Sequence, residues 1–200
     1  MIHPHTELKY ISDEIGYGLV AKQFIPQGSI IWVLDELDRE FTPDQLDMMS
    51  PDLRSVFENY TYRNNKGNYV LCWDHGRFMN HSFNSNCMAT PYNFEIAIRD
   101  IQPGEQLTDD YGYLNIIAPF KAEDEGTHRK YVYPDDLVNY HKEWDAIIAE
   151  NFNKIKEVEQ PLRPYFSDRL WNEIILITKG ERALDSILLN YYNAEKVDNG

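Results

Sequence analysis

Cysteine is scarce in this chain: Cys72 and Cys87 are the only two among 200 residues. Two thiols cannot build a disulfide framework or, by themselves, a four-ligand metal site. They are expected to be buried or half-buried in a reducing compartment. Long apolar runs are also missing, and none approaches the roughly 20 residues of a membrane helix. The start, Met1-Ile2-His3-Pro4-His5, lacks the basic-then-apolar layout of a secretion signal. The expected protein is therefore intracellular and soluble, cytoplasmic or nuclear. Basic residues are in deficit, with 19 Lys and Arg against 33 Asp and Glu and a formal charge of −14. This balance argues against nucleic-acid binding, which needs phosphate-neutralising cations. It favours basic partners, or else serves solubility alone. Internal repeats and low-complexity tracts are absent.

What remains is an ordinary globular composition, 42% apolar and 26% charged. The length suits one domain with a small appendage. Short β-rich segments at residues 7–11, 19–21 and 29–34 are separated by Gly16-Tyr17-Gly18 and Pro26-Gln27-Gly28. An acidic stretch, Asp35 to Glu40, is expected in solvent. Thr42 reads as a helix N-cap with Pro43 behind it, and Pro51 divides the segment that follows into two short helices. Strands resume at 68–73, 89–90, 94–99 and 106–108. Residues 121–130 read as a charged loop. Beyond Pro134 the spacing turns helical through Leu137, Tyr140, Trp144, Ile148, Phe152 and Ile155. Pro161 and Pro164 break that pattern, and a last helical segment is expected from Asp168 to Tyr192 with a break at Gly180. The expected fold class is mainly β with α (α+β), followed by a helical C-terminal extension.

Three pieces carry chemistry. The first is Gly16-Tyr17-Gly18, where glycine permits a tight turn or a close backbone approach. The second is Arg77-Phe78-Met79-Asn80-His81-Ser82, continuing through Asn84, Ser85, Asn86 and Cys87. Phe78 and Met79 pull this polar cluster inward, and a buried Asn or His needs partners that a polar ligand can supply. The third is Gly104-Glu105-Gln106-Leu107-Thr108-Asp109-Asp110-Tyr111-Gly112, which sets a phenol at a strand end against a glycine.

In this order and spacing, the pieces resemble the SET-domain protein-lysine methyltransferases. The opening Gly-x-Gly is matched by Gly16 and Gly18. The middle motif is matched at Arg77, Phe78, Asn80, His81, Ser82 and Asn86, with Phe83 and Ser85 in place of Cys and Pro. The closing motif is matched at Gly104, Glu105, Leu107, Thr108, Asp110, Tyr111 and Gly112. The likeness covers about residues 5–120. It implies small β-sheets with a knot-like crossing, in a SET domain at 1–118, then a post-SET-like loop at 119–133 and helices at 134–200 that pack on the SET domain. A partner-binding or dimerising helix pair is the alternative for the last segment.

The resemblance further implies S-adenosylmethionine as cofactor and the ε-amino group of a protein lysine, in a basic segment, as acceptor. No membrane and no direct nucleic-acid contact are implied. Gly16, Tyr17, Gly18, Asn80 and His81 would hold the cofactor and Phe120 would cover its adenine. Tyr60 or Tyr62 would line the cofactor or the lysine side, and Tyr111 would be catalytic, as positioner and electrostatic stabiliser rather than general base. A non-catalytic peptide-binding module that retains the fold is the competing expectation. Two departures stand out. Relatives tie the last segment down with zinc-binding cysteines, whereas here Phe83, Ala122, Asp124 and Arg129 occupy the ligand positions, so no zinc is expected. Asp109 replaces an aromatic that helps set product multiplicity; it is expected either to contact a cationic substrate or to face solvent.

Overall fold

The structure is a computed structural model describing residues 1–193. In chain order it comprises β1 (Thr6–Ser12), β2 (Gly16–Ala21), β3 (Ile30–Val33), β4 (Arg39–Phe41), α1 (Pro43–Asp47), α2 (Pro51–Glu58), β5 (Thr61–Arg63) and β6 (Tyr69–Leu71). Then follow β7 (Asn80–His81), β8 (Cys87–Ala89), β9 (Phe94–Ala97), β10 (Thr108–Asp109), β11 (Phe120–Lys121), β12 (Tyr131–Val132), α3 (Asp136–Phe152) and α4 (Asp168–Thr178). The architecture is mixed α and β, built from small sheets with a helical C-terminal region. β1 and β2 form an antiparallel hairpin, β3-β9-β8 and β4-β6-β5 are three-stranded sheets, and β7 and β10 run parallel.

Local chemistry accounts for the elements. The Thr42 side chain accepts from the Gln45 amide while Gln45 reaches back to the Thr42 amide, a reciprocal cap. Ser50 caps α2 with Pro51 just inside, which makes two short helices from one apolar segment. In β9, Phe94 and Ile96 alternate with Glu95, so one strand presents apolar groups to the core and a carboxyl to the opposite face.

Two expectations need correction, and the charged loop stands with one added feature. The acidic stretch is not simply solvated: Asp35 pairs with the Met1 amino group at 2.8 Å and accepts from the Trp73 indole, and Arg39–Phe41 is a strand. The charged loop is closed by β11 and β12, whose ends pair antiparallel. From Asp168 the helix lasts only to Thr178; Gly180, at φ +74, turns the chain away, and residues 187–190 make one further 3-10 turn. The final seven positions, 194–200, belong to the expected helical extension and lie outside the described residues.

The largest apolar cluster joins Ile30, Met88, Phe94 and Ile96 of the sheet to Trp144, Ile148 and Phe152 of α3. A second packs Leu19, Ile25, Ile31 and Leu107 beneath the first hairpin. Each such buried side chain contributes roughly 1.5–3 kcal/mol. Among the described residues no helix is long and apolar enough to cross a membrane.

Candidate active site

The middle and closing motifs meet through the parallel pair β7–β10, in the register Thr108 to Asn80 and Asp109 to His81. Two residues per strand cannot hold such a pairing alone. Asn86, buried, anchors the β10 side by donating to the Gln106 carbonyl at 2.8 Å and accepting from the Thr108 amide at 2.9 Å. The Tyr111 amide then donates to His81 Nδ1 at 3.2 Å. That contact leaves the imidazole proton on Nε2, which is buried without a protein partner. Burial lowers the His81 pKa, so the ring is held neutral.

The Gly16-Tyr17-Gly18 segment opens β2 beside the same pair. Asn80 Nδ2 donates to the Tyr17 carbonyl at 3.1 Å, and a Cβ on Gly18 would lie 2.7 Å from that nitrogen. The Tyr17 ring is exposed and contacts Phe78, which in turn contacts Tyr60. Beneath them the His81 ring meets Tyr111 and Phe120. The residues matched to the three motifs are therefore one neighbourhood.

A cavity of about 470 Å³ opens next to it, lined by Tyr60, Tyr62, Asp109, Tyr111 and Phe120. Gly16, Tyr17, Gly18, Asn80 and His81 do not line it. Tyr111 reaches both regions: its amide binds His81, while its side chain forms cavity wall and its hydroxyl donates to the Met79 carbonyl at 2.7 Å. Burial, and then the carboxyls of Asp109 and Glu95, push its pKa far above the ordinary phenol value. Tyr62 is turned inward, with burial raising its pKa, whereas Tyr60 is 39% exposed at the rim.

Asp109 is not solvent-facing. It is 2% exposed and takes the Tyr113 hydroxyl. Glu95 lines the same cavity as Asp109. Burial raises both, Glu95 to about 7. Sequence reasoning missed Glu95; the available signal was a lone acid inside the otherwise apolar strand Phe94–Ala97. It also missed Trp32, the cross-strand neighbour of Glu95 in β3, whose buried indole N–H has no protein partner.

At the positions where relatives carry cysteines, other contacts tie the loop down. Glu125 accepts from the Ser82 hydroxyl and the Phe83 amide at 2.8 and 2.7 Å. Arg129, nearly buried, binds Asp110 and, at 2.5 Å, Asp136, and lies over the Phe83 ring. Asp124 pairs with Lys130, and Ala122 donates its amide to the Lys130 carbonyl at 3.1 Å.

Compared with known families, residues 16–112 match the model of the SET domain. Among solved structures, the chain is similar to a Plasmodium falciparum "putative histone methyltransferase", at 18% identity and a TM-score of 0.40, over 55% of this chain and 95% of that one. No curated protein matches the sequence.

Proposed function

Residues 16–112 match the SET-domain model, and we propose that the chain is a member of that family and transfers a methyl group from S-adenosylmethionine to the ε-amino group of a lysine in a protein substrate. The observation that carries the reading is the double engagement of Tyr111, its amide on His81 and its side chain in the cavity wall.

S-adenosylmethionine supplies, when bound, a methyl group already activated on a sulfonium. The residues present fit it: the His81 Nε2–H is an orphaned buried donor, and Gly18 lets Asn80 approach the β2 backbone beside it. Gly16, Tyr17, Gly18, Asn80 and His81 would hold the cofactor. The exposed rings of Tyr60 and Phe120 suit its outer parts, and the half-buried Tyr62 suits the lysine side. The chain's acidic balance favours a basic segment around the target lysine.

The residues then have distinct tasks. The cavity aligns the lysine nitrogen with the transferred carbon. A lysine amine, ordinarily near 10.4, loses proton affinity in such a setting through burial and a neighbouring cation. Tyr111 donates its own proton to Met79, so its oxygen lone pairs are free to accept an amine N–H and to steady positive charge. Its raised pKa argues against a phenolate at neutral pH, and therefore against a general-base role.

The test is transfer of radiolabelled methyl into proteins of a cell extract. The wild type should label discrete bands, and Tyr111→Phe should lose at least about a hundredfold of the rate. Equal labelling by both would remove Tyr111 from the mechanism. Cofactor binding with no labelling by the wild type would establish a binding module instead.

A further inference from the structure

With Tyr111 kept protonated, the reaction needs another destination for the lysine's proton. The cavity holds one. Glu95 and Asp109 line it from β9 and β10, two neighbouring carboxyls in one buried setting. Burial raises both and repulsion from Glu95 raises Asp109 further, so the two do not ionise together and the pair carries at most one negative charge. Glu95 Oε2 is buried without a protein partner, and so is the indole nitrogen of Trp32 on the adjacent strand, a residue only 6% exposed.

Among the described residues neither carboxyl has an ion pair. Neither arginine lining the cavity pairs with them: Arg77 donates to the carbonyls of Cys72, Trp73 and Asp74, and Arg63 lies over the Tyr192 ring with its Nε buried and without a protein partner. Asp110, next in sequence, is neutralised by Arg129. What remains is an anionic pair walled by the rings of Trp32, Tyr62 and Tyr111, a combination that selects an alkylammonium by charge and by cation–π attraction together.

We propose that Glu95 and Asp109 form the subsite that receives the substrate's primary ammonium group and takes one proton from it. This rests on the lysine methyl-transfer reading and assigns the base that reading lacks. One ammonium N–H bond breaks and one carboxyl O–H bond forms. The pair passes from one proton to two, and the amine lone pair becomes available to the methyl carbon. The pair returns the proton to solvent once the methylated ammonium leaves. A Glu95 carboxyl raised toward neutrality suits such an acceptor.

The experiment uses n-butylammonium, which reproduces the lysine side chain, against n-butanol, which is uncharged and similar in size. Binding of each is measured calorimetrically to the full chain, to Glu95→Gln and to Asp109→Asn, with thermal melts showing that the variants are folded. The wild type should prefer the ammonium by at least about tenfold, and each variant should lose most of that preference. No preference in the wild type, or one that survives both substitutions, overturns the proposal. The two readings fail separately. Methyl transfer without an ammonium preference removes the acidic subsite alone. An ammonium preference that depends on both carboxyls, in a protein that labels nothing, keeps the subsite and removes the methyl transfer.

Discussion

At the scale of single residues, the site is built from groups that cost the fold something. Glu95 and Asp109 are ionisable carboxyls placed where burial disfavours charge. A glutamate ionises near 4.5 when the chain is unfolded and near 7 in the fold, so between these values the native state holds more protons than the unfolded one. Stability from this residue is therefore intact below about 4.5 and lost as pH rises through about 7. Glu95→Gln removes the titration and is expected to stabilise the protein by roughly 1–3 kcal/mol at pH 8, with little gain at pH 4.5. Thermal melts of both proteins at the two pH values check this; a gain independent of pH would mean the carboxyl is not strained by burial. The residue also marks a limit of sequence reading. Asp109 stood out because it departs from a motif, but its burial depends on Tyr113 and Glu95, which no spacing rule places beside it. Glu95 belongs to no motif, and its orientation follows only from which face of β9 the core covers.

Among elements, what could be read from the chain depended on how local the cause was. The caps at Thr42 and Ser50 and the break at Pro51 are settled within a few residues, and the structure has them where the sequence puts them. Strands β7 and β10 are two residues long and exist because each finds the other, with Asn86 fixing the approach to β10. Nothing in Asn80-His81 alone announces a strand. β4 likewise forms in an acidic segment because β6 offers an edge for it. The opening glycine motif illustrates both kinds of cause. Gly16 sits at φ +78, a requirement visible from the residue type, whereas Gly18 is required by the approach of Asn80. Gly18→Ala would set a Cβ 2.7 Å from Asn80 Nδ2 and 2.9 Å from Ile11. Asn80 must then give way and release the Tyr17 carbonyl. The expected result is about a tenfold loss of affinity for S-adenosylhomocysteine with only a modest fall in Tm. Unchanged calorimetric affinity would mean that the β2–Asn80 contact does not shape the cofactor site.

For the molecule as a whole, the question is whether the C-terminal helices are an attachment or part of the body that holds the site. The periodicity beyond Pro134 required an apolar stripe to be covered without saying by what. Phe152, 1% exposed, lies against Tyr92 and Phe94 of the sheet region, with ring centroids 5.8 and 6.0 Å away. Polar contacts continue the seam: Gln160 bridges the Gly28 carbonyl and the Ile30 amide, and Gln27 donates to Asn151. Arg129 joins Asp136 of α3 to Asp110, the neighbour of Tyr111, so helix and closing motif share one cation whose side chain is 8% exposed. A core contributed by both parts is expected to melt as one unit. Unfolding in denaturant should then give coincident midpoints by far-ultraviolet circular dichroism and by tryptophan fluorescence, which samples Trp32 in the body and Trp144 in α3. Phe152→Ala, which opens a cavity in the shared core, should lower stability by about 3–5 kcal/mol while leaving a single transition. An early transition confined to helical signal, with the strand signal persisting, would instead mark the helices as a separable unit. Their apolar face would then be better read as a surface for a partner or a second copy of the chain.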